Sequence, residues 1–191
     1  MLITYSGDAL PHVANWTEWL DRFKGRPVHG LEVGCFEGHS TQWFIDEILT
    51  HPESTMTVVD NFEGEEWHKA NGIDMKIVRS NFYANMIPHG KRVRVYEGAS
   101  QEKLVEMRQD PRRFNFIYVD ANHTACDVLS DLVLCWPLLM VGGMLIADDY
   151  EWHFCGPLTE PKMAIDAFLA CYEGRYRLTY KGYQVCLEKF S

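Results

Sequence analysis

The chain has 191 residues, 47% of them hydrophobic, which is enough for one sizeable core and too little for two, so a single domain over residues 1–191 is expected. Its formal net charge of -9 and its few basic runs, of which residues 91–94 are the densest, disfavour a protein that binds nucleic acid through charge. Six cysteines without a C-x-x-C pair, and no long apolar run, predict a cytoplasmic protein that has no signal peptide and does not associate with membranes.

The N-terminal part, residues 1–27, is predicted to be a helical extension. Within residues 13–23, Trp16, Trp19, Leu20 and Phe23 recur at helical spacing, as in a short amphipathic helix that packs on the rest of the domain. A glycine and a proline at positions 25 and 27 then end the helix.

Short apolar runs alternate with helical stretches along residues 28–191. The runs predicted as parallel strands are 28–33, 55–60, 92–97, 114–120 and 143–148. The predicted helices are 40–50, 74–85, 101–109, 125–139, in which Pro137 bends or ends the helix, and 161–172. Two further β-rich runs, 176–180 and 183–189, flank Lys181-Gly182 and predict a hairpin. The pattern predicts an α/β domain: a mainly parallel seven-stranded sheet with helices on both faces and a C-terminal antiparallel hairpin at one edge.

The stretch from Leu31 to Thr41 is built like a strand that runs into a glycine turn and then a helix. Gly34 and Gly38 allow the backbone to turn and to approach a ligand closely, and Ser40 or Thr41 is expected to cap the helix. Phe36 stands where a dinucleotide fingerprint has its second glycine, which clears space for a pyrophosphate. The turn therefore favours a nucleoside cofactor without pyrophosphate.

An acidic residue lies at the end of every predicted parallel strand: Glu32, Asp60, Glu97, Asp120 and Asp148. Ligands of such sheets bind beyond the carboxyl ends of the strands, where these side chains would meet. Because like charges repel, some of them must meet a cation, a sugar hydroxyl or a backbone amide. Asp60, which ends the second strand, is placed to accept hydrogen bonds from two ribose hydroxyls.

Three segments carry a resemblance to a known family, and they read Leu31-Glu32-x-Gly34-x-x-x-Gly38-x-Ser40, Asp60 and Gly98-Ala99-Ser100-Gln101. They resemble the class I S-adenosylmethionine-dependent methyltransferases, and among these the metal-dependent O-methyltransferases of the catechol O-methyltransferase type. Residues 120–150, which include Asp131 and Gly142-Gly143, are also similar to macrocin-type sugar O-methyltransferases. The resemblance runs from about residue 31 to residue 150.

The resemblance implies a Rossmann-like fold, residues 28–191 as the catalytic core, and S-adenosylmethionine as cofactor. In that family the glycines face the methionine part, the serine holds its carboxylate, the acid after the second strand binds the ribose, and the segment at 98–101 lines the adenine. The implied cofactor-binding residues are Glu32, Gly34, Phe36, Gly38, Ser40, Asp60, Asn61, Gly98, Ala99, Ser100, Gln101 and Asp120.

Asp120, Asp148 and Asp149 match the metal ligands of the metal-dependent group, where one of the last two is often asparagine. Hard oxygen ligands of this kind suit Mg²⁺. The metal would lower the pKa of a substrate hydroxyl and orient it for attack on the methyl group. His123 lies where the catechol enzyme has its lysine base, and an imidazole that titrates near pH 6.5 could accept the proton. Asp120 and His123 are therefore the predicted catalytic residues.

The predicted activity is O-methylation of a small molecule with adjacent oxygens, such as a sugar diol or a catechol. Three alternatives stay open: a metal-free enzyme that uses His123 as base, a non-catalytic member that only binds the cofactor, and a nicotinamide-dependent oxidoreductase, which Phe36 disfavours. A homo-oligomer is possible.

Overall fold

The computed structural model describes residue 5 and residues 12–191, and its central element is a seven-stranded sheet. The strands are β1 His29–Val33, β2 Thr55–Asp60, β3 Val93–Glu97, β4 Phe114–Val119, β5 Leu139–Ala147, β6 Tyr176–Lys181 and β7 Val185–Lys189. Their order is β3-β2-β1-β4-β5-β7-β6. Strands β1 to β5 pair in parallel, and β7 pairs antiparallel with both β5 and β6. The predicted sheet and its C-terminal hairpin are confirmed.

Helices connect the strands. They are α1 Val13–Leu20, α2 His39–Trp43, α3 Glu66–Ala70, α4 Met75–Met86, α5 Ser100–Met107, α6 Ala125–Cys135 and α7 Pro161–Cys171. A π-helical turn, Phe44–Ile48, continues α2, and 3-10 turns lie at Asp21–Phe23, Ile87–Arg92, Trp136–Leu138 and Pro157–Thr159.

The core has two layers, one on each face of the sheet, because successive side chains of a strand point to opposite faces. In β4, Phe116 and Tyr118 pack with residues of α1, α2 and α4, whereas Ile117 and Val119 pack with residues of α5, α6 and α7. Helices therefore cover both faces of the sheet, as predicted.

The largest differences from the sequence prediction are two boundaries and one additional helix. The helix predicted over 125–139 ends at Cys135, because Pro137 cannot continue it and forms a 3-10 turn instead. Strand β5 starts at Leu139 rather than at residue 143, because Gly142 and Gly143 lie within the strand and not before it. Helix α3 was not predicted, and none of its residues is buried.

The N-terminal helix α1 packs into the core of the described part of the chain. Trp16 of α1 is 1% exposed, and its indole Nε1 donates a hydrogen bond to Gln184 Oε1 at 3.0 Å. The rest of the predicted extension, residues 1–4 and 6–11, lies outside the described residues. Among the described helices, none is long and apolar enough to cross a membrane.

Candidate cofactor and metal site

The glycine turn after β1 lies directly against the end of β4. Gly34 has a φ of +84°, and a Cβ at this position would stand 2.0 Å from the carbonyl oxygen of Asp120. Gly38 also has a φ of +84° and precedes α2 as its N-cap residue. Only glycine fits position 34, because the side chain of any other residue would collide with the backbone of the neighbouring strand. The turn and the carboxyl end of β4 thus form one continuous surface.

Glu32 of β1 is completely buried and holds the start of α2. Ser40 Oγ donates to its Oε1 at 2.5 Å, and Thr41 Oγ1 donates to its Oε2. The expectation that Ser40 or Thr41 caps the helix is wrong, because α2 begins at His39 and both hydroxyls lie inside its first turn. Burial raises the pKa of Glu32 to about 7, although both hydroxyl hydrogen bonds act in the opposite direction.

The protonation of Glu32 predicts how stability depends on pH. The pKa of Glu32 is about 7 in the folded protein, above its ordinary value of 4.5, so the folded state holds the proton more tightly than the unfolded state does. Its contribution to stability is complete below pH 4.5 and is lost as the pH rises to about 7. We expect Glu32→Gln, which stays neutral, to flatten the decline of the free energy of unfolding between these pH values. Urea titrations at pH 5 and pH 8 measure it, and an equal decline in both proteins would contradict it.

Asp60, at the end of β2, holds the glycine turn from the other side. Its Oδ2 accepts hydrogen bonds from the backbone N–H groups of Cys35 at 2.8 Å and Phe36 at 3.3 Å, and its Oδ1 accepts from Phe62 at 2.7 Å. The next residue, Asn61, accepts a hydrogen bond from the backbone of Glu63 at 2.9 Å. Phe36 itself has a φ of +49°. The structure therefore brings the predicted ribose acid into direct contact with the predicted methionine turn.

The predicted adenine segment, residues 98–101, lies next to Asp60. The N–H of Gly98 donates to the backbone oxygen of Asp60 at 3.0 Å, and α5 starts at Ser100. Asp131 of α6 is buried, and its burial raises the pKa of the carboxyl to about 7, an effect that Ser100 opposes. Gln101 Nε2 lies 3.4 Å from Asp127 Oδ1. The three segments of the family resemblance thus meet at the carboxyl edge of the sheet.

Glu97, the acid that ends β3, is neutralised within the protein. Both its carboxylate oxygens accept hydrogen bonds from Arg79 at 2.9 Å, and Tyr83 donates to it at 2.8 Å. Because the pair is exposed, it contributes little to stability.

Two carboxylates at the ends of β4 and β5 share one hydroxyl. Tyr118 Oη lies 3.0 Å from Asp120 Oδ2 and also contacts Asp148 Oδ2. One hydroxyl hydrogen can satisfy only one of these oxygens at a time. Burial raises the pKa of both aspartates, and the charges of Asp148 and Asp149 add to this at Asp120, as the charge of Asp149 does at Asp148. This part of the site therefore calls for an additional proton or a cation.

Asp148 and Asp149 point in different directions although they are consecutive. Asp148 is buried, and its oxygens accept from Tyr118, from Gln184 Nε2 at 2.9 Å and from the backbone of Asp149 at 2.8 Å. Asp149, with a φ of +60°, turns towards His123. Ligand atoms of Asp120, His123 and Asp149 all lie within 4.8 Å of one another. The residues that converge thus include two of the three predicted ligands and the predicted base.

His123 is held between two carboxylates. Its Nε2 lies 2.8 Å from Asp149 Oδ2, and its Nδ1 lies 2.6 Å from Glu65 Oε1. Burial would lower the pKa of His123, but the hydrogen bonds and charges of Asp149 and Glu65 raise it to about 10. The expectation of an imidazole that titrates near pH 6.5 is therefore wrong for this arrangement, in which the ring carries a positive charge. Trp152 packs against the ring with centroids 4.3 Å apart.

Four residues of the site were not predicted: Glu65, Tyr118, Tyr183 and Gln184. Tyr183 belongs to the turn of the hairpin, and burial together with the carboxylate of Asp149 raises the pKa of its hydroxyl. The alternation along β4 places Tyr118 on the face opposite Ile117, but it does not indicate that the hydroxyl reaches the strand end. Glu65 lies in a polar connection without any pattern, so only the tertiary structure brings it to His123.

Comparison with known protein families agrees with the resemblance found in the sequence. A family model described as a methyltransferase domain matches residues 31–150, the span of the resemblance. A search of curated protein sequences finds no significant match.

Solved methyltransferase structures have the same fold. An O-methyltransferase from Bacillus cereus in complex with SAH is 20% identical, with a TM-score of 0.66 over 97% of this chain and 84% of that chain. MycE, from the mycinamycin biosynthetic pathway and in complex with Mg, SAH and mycinamycin VI, is 15% identical, with a TM-score of 0.67 over 96% of this chain and 50% of that chain. A putative rRNA methylase from Clostridium thermocellum is 12% identical, with a TM-score of 0.68 over 97% of this chain and 99% of that chain. At these identities the likeness concerns the fold.

Proposed function

The chain belongs to the methyltransferase domain family, and we propose that it transfers a methyl group from S-adenosylmethionine to an oxygen of a small molecule, with the help of Mg²⁺. The substrate class we propose has two adjacent oxygens, as in a sugar diol or a catechol. The net charge of -9 supports a small molecule over a nucleic acid.

The convergence of Asp120, His123 and Asp149 is the observation that carries this proposal. Carboxylate oxygens suit Mg²⁺, which usually takes one or two of them and leaves its other positions to water and substrate. The two carboxylates that share the Tyr118 hydroxyl also need a compensating charge, and this supports a cation at Asp120. We assign Asp120 and Asp149 as ligands, whereas Asp148 supports them through Tyr118 and its bond to the backbone of Asp149.

Different residues of the protein would then bind the cofactor, bind the cation and transfer the proton. The glycine turn with Asp60 and the segment at 98–101 would bind the cofactor, which supplies the methyl group. Bound Mg²⁺ would lower the pKa of a substrate hydroxyl and offset its developing negative charge. A cation at Asp120 and Asp149 would replace the positive charge of the His123 ring, so that His123, which lies beside Asp149, would give up its own proton and then hold the one from the substrate hydroxyl. Trp152, packed on His123, would exclude water from that side.

A metal-free methyltransferase is the second candidate, and the ion pair between His123 and Asp149 favours it. In that pair the imidazolium already compensates the charge of Asp149 at 2.8 Å. His123 would then act on the substrate without a cation, after giving up its proton.

Transfer of a radiolabelled methyl group from S-adenosylmethionine to a panel of catechols, diols and nucleotide sugars tests the proposal. We expect product with at least one member of the panel, and we expect a chelator to abolish it and Mg²⁺ to restore it. Transfer that is indifferent to the chelator would favour the metal-free enzyme. Tight binding of S-adenosylhomocysteine (SAH) without any transfer would instead favour a non-catalytic binding protein, and absence of SAH binding would overturn the proposal.

A further inference from the structure

Glu65 and His123 meet across the top of the sheet. Glu65 follows β2, and His123 follows β4. In the sheet, β1 lies between these two strands. A contact between the two side chains must therefore pass above the carboxyl end of β1, where the glycine turn of residues 34–38 lies.

The contact has two parts. Glu65 Oε1 lies 2.6 Å from His123 Nδ1, and Glu65 Oε2 accepts a hydrogen bond from the backbone N–H of His123 at 3.3 Å. The side chains are only 14% and 16% exposed, so solvent screens the ion pair weakly. The burial and the double attachment distinguish it from the exposed pair that Glu66 forms with Lys69 in the same helix.

A second contact fastens the same segment to the glycine turn. Glu65 is the N-cap residue of α3 and forms a capping box with His68. The ring of His68 stacks on Phe36 with centroids 5.6 Å apart and an interplanar angle of 28°. Residues 61–74, which we call the β2–α4 segment, are thus attached both to the turn itself and to the residue beyond it.

We propose that Glu65 is a positioning residue, which holds the His123 ring towards Asp149 and latches the β2–α4 segment over the cofactor site. This inference rests on the proposed function, because it assumes that the cofactor binds at the glycine turn. Release of a bound cofactor would then require the latch to open. Glu65 acts through His123 and the segment, and no contact between Glu65 and substrate is assumed.

The test compares Glu65→Ala with Glu66→Ala, a neighbouring change that removes only an exposed pair. Hydrogen exchange of the protein without cofactor should show faster exchange in residues 61–74 for Glu65→Ala only. Stopped-flow measurement of SAH release should show dissociation that is about tenfold faster, which corresponds to about 1.4 kcal/mol. Glu66→Ala should stay close to the original protein in both measurements.

Two further variants separate the latch from the helix cap. Glu65→Ser keeps an N-cap acceptor but is too short to reach His123, so we expect it to behave like Glu65→Ala. Glu65→Gln keeps the length but has no charge and only one acceptor oxygen for the two N–H groups of His123, so we expect it to release SAH at a rate between those of the original protein and Glu65→Ala. If Glu65→Ser exchanges and releases SAH as the original protein does, the cap alone matters and the latch is refuted. If the original protein binds no SAH but exchange in residues 61–74 still responds to Glu65→Ser, the latch stands and the proposed function fails.

Discussion

Replacement of Asp120 by asparagine is expected to lower the rate of methyl transfer by about 100-fold or more, the effect typical of losing a charged group that stabilises a transition state. The carboxylate lies at the end of β4, where it shares the Tyr118 hydroxyl with Asp148 and belongs to the group with His123 and Asp149. Asparagine keeps the shape of the side chain but removes the charge that a cation needs. Single-turnover transfer to the best substrate of the panel measures the change.

Titration with Mg²⁺ extends this test to the neighbouring carboxylates. Asp120→Asn and Asp149→Asn should both weaken the dependence of the rate on Mg²⁺. If Asp148 only supports the ligands, Asp148→Asn should need little more Mg²⁺ than the original protein. If Asp148 is itself a ligand, as the family resemblance implies, Asp148→Asn should need as much additional Mg²⁺ as the other two variants do. Asp21→Asn, at a side chain that is 70% exposed, is the matched control. An unchanged rate in Asp120→Asn would contradict the assignment.

The sheet could be predicted because each of its strands carries a local signal. Buried parallel strands are continuous apolar runs, and Gly34, with no space for a Cβ beside Asp120, marks the turn after the first of them. The same logic predicted that the strand-end acids meet at one edge of the sheet. The start of β5 was wrong, because the apolar residues 139–141 and the two glycines that follow them belong to the strand.

The fine structure of the site could not be predicted, because it depends on side chains from different elements. The sequence places Asp148 and Asp149 next to each other, but the φ of +60° at Asp149 turns its carboxylate towards His123. The charge state of His123 likewise depends on Glu65, which is 58 residues away along the chain. An unperturbed imidazole was the reasonable expectation only as long as neither partner was known.

Replacement of Asp60 by alanine is expected to weaken SAH binding by about 100-fold, the loss of about 2.7 kcal/mol that two hydrogen bonds to a charged group provide. Two different causes could produce this loss. Asp60 holds the glycine turn through the backbone N–H groups of Cys35 and Phe36, and it is also the predicted acceptor for the ribose hydroxyls. Calorimetry with SAH measures the total effect, and Asp46→Ala, at an exposed position of the π-helical turn that continues α2, serves as the control.

A double-mutant cycle with a ligand that lacks the 2′-hydroxyl separates the two causes. If Asp60 binds the ribose, the deoxy ligand should bind more weakly than SAH to the original protein. In Asp60→Ala, the deoxy ligand and SAH should then bind with the same affinity. If Asp60 only shapes the turn, the deoxy ligand should lose the same affinity in both proteins, because the missing hydroxyl then has no partner at position 60. The turn role follows from hydrogen bonds that exist without cofactor, at 2.8 Å and 3.3 Å. Oδ2 also accepts from the Cys35 thiol at 3.4 Å, whereas Oδ1 accepts a single hydrogen bond from the described residues, that of Phe62, so a ribose hydroxyl can be accommodated at Oδ1 without breaking the turn.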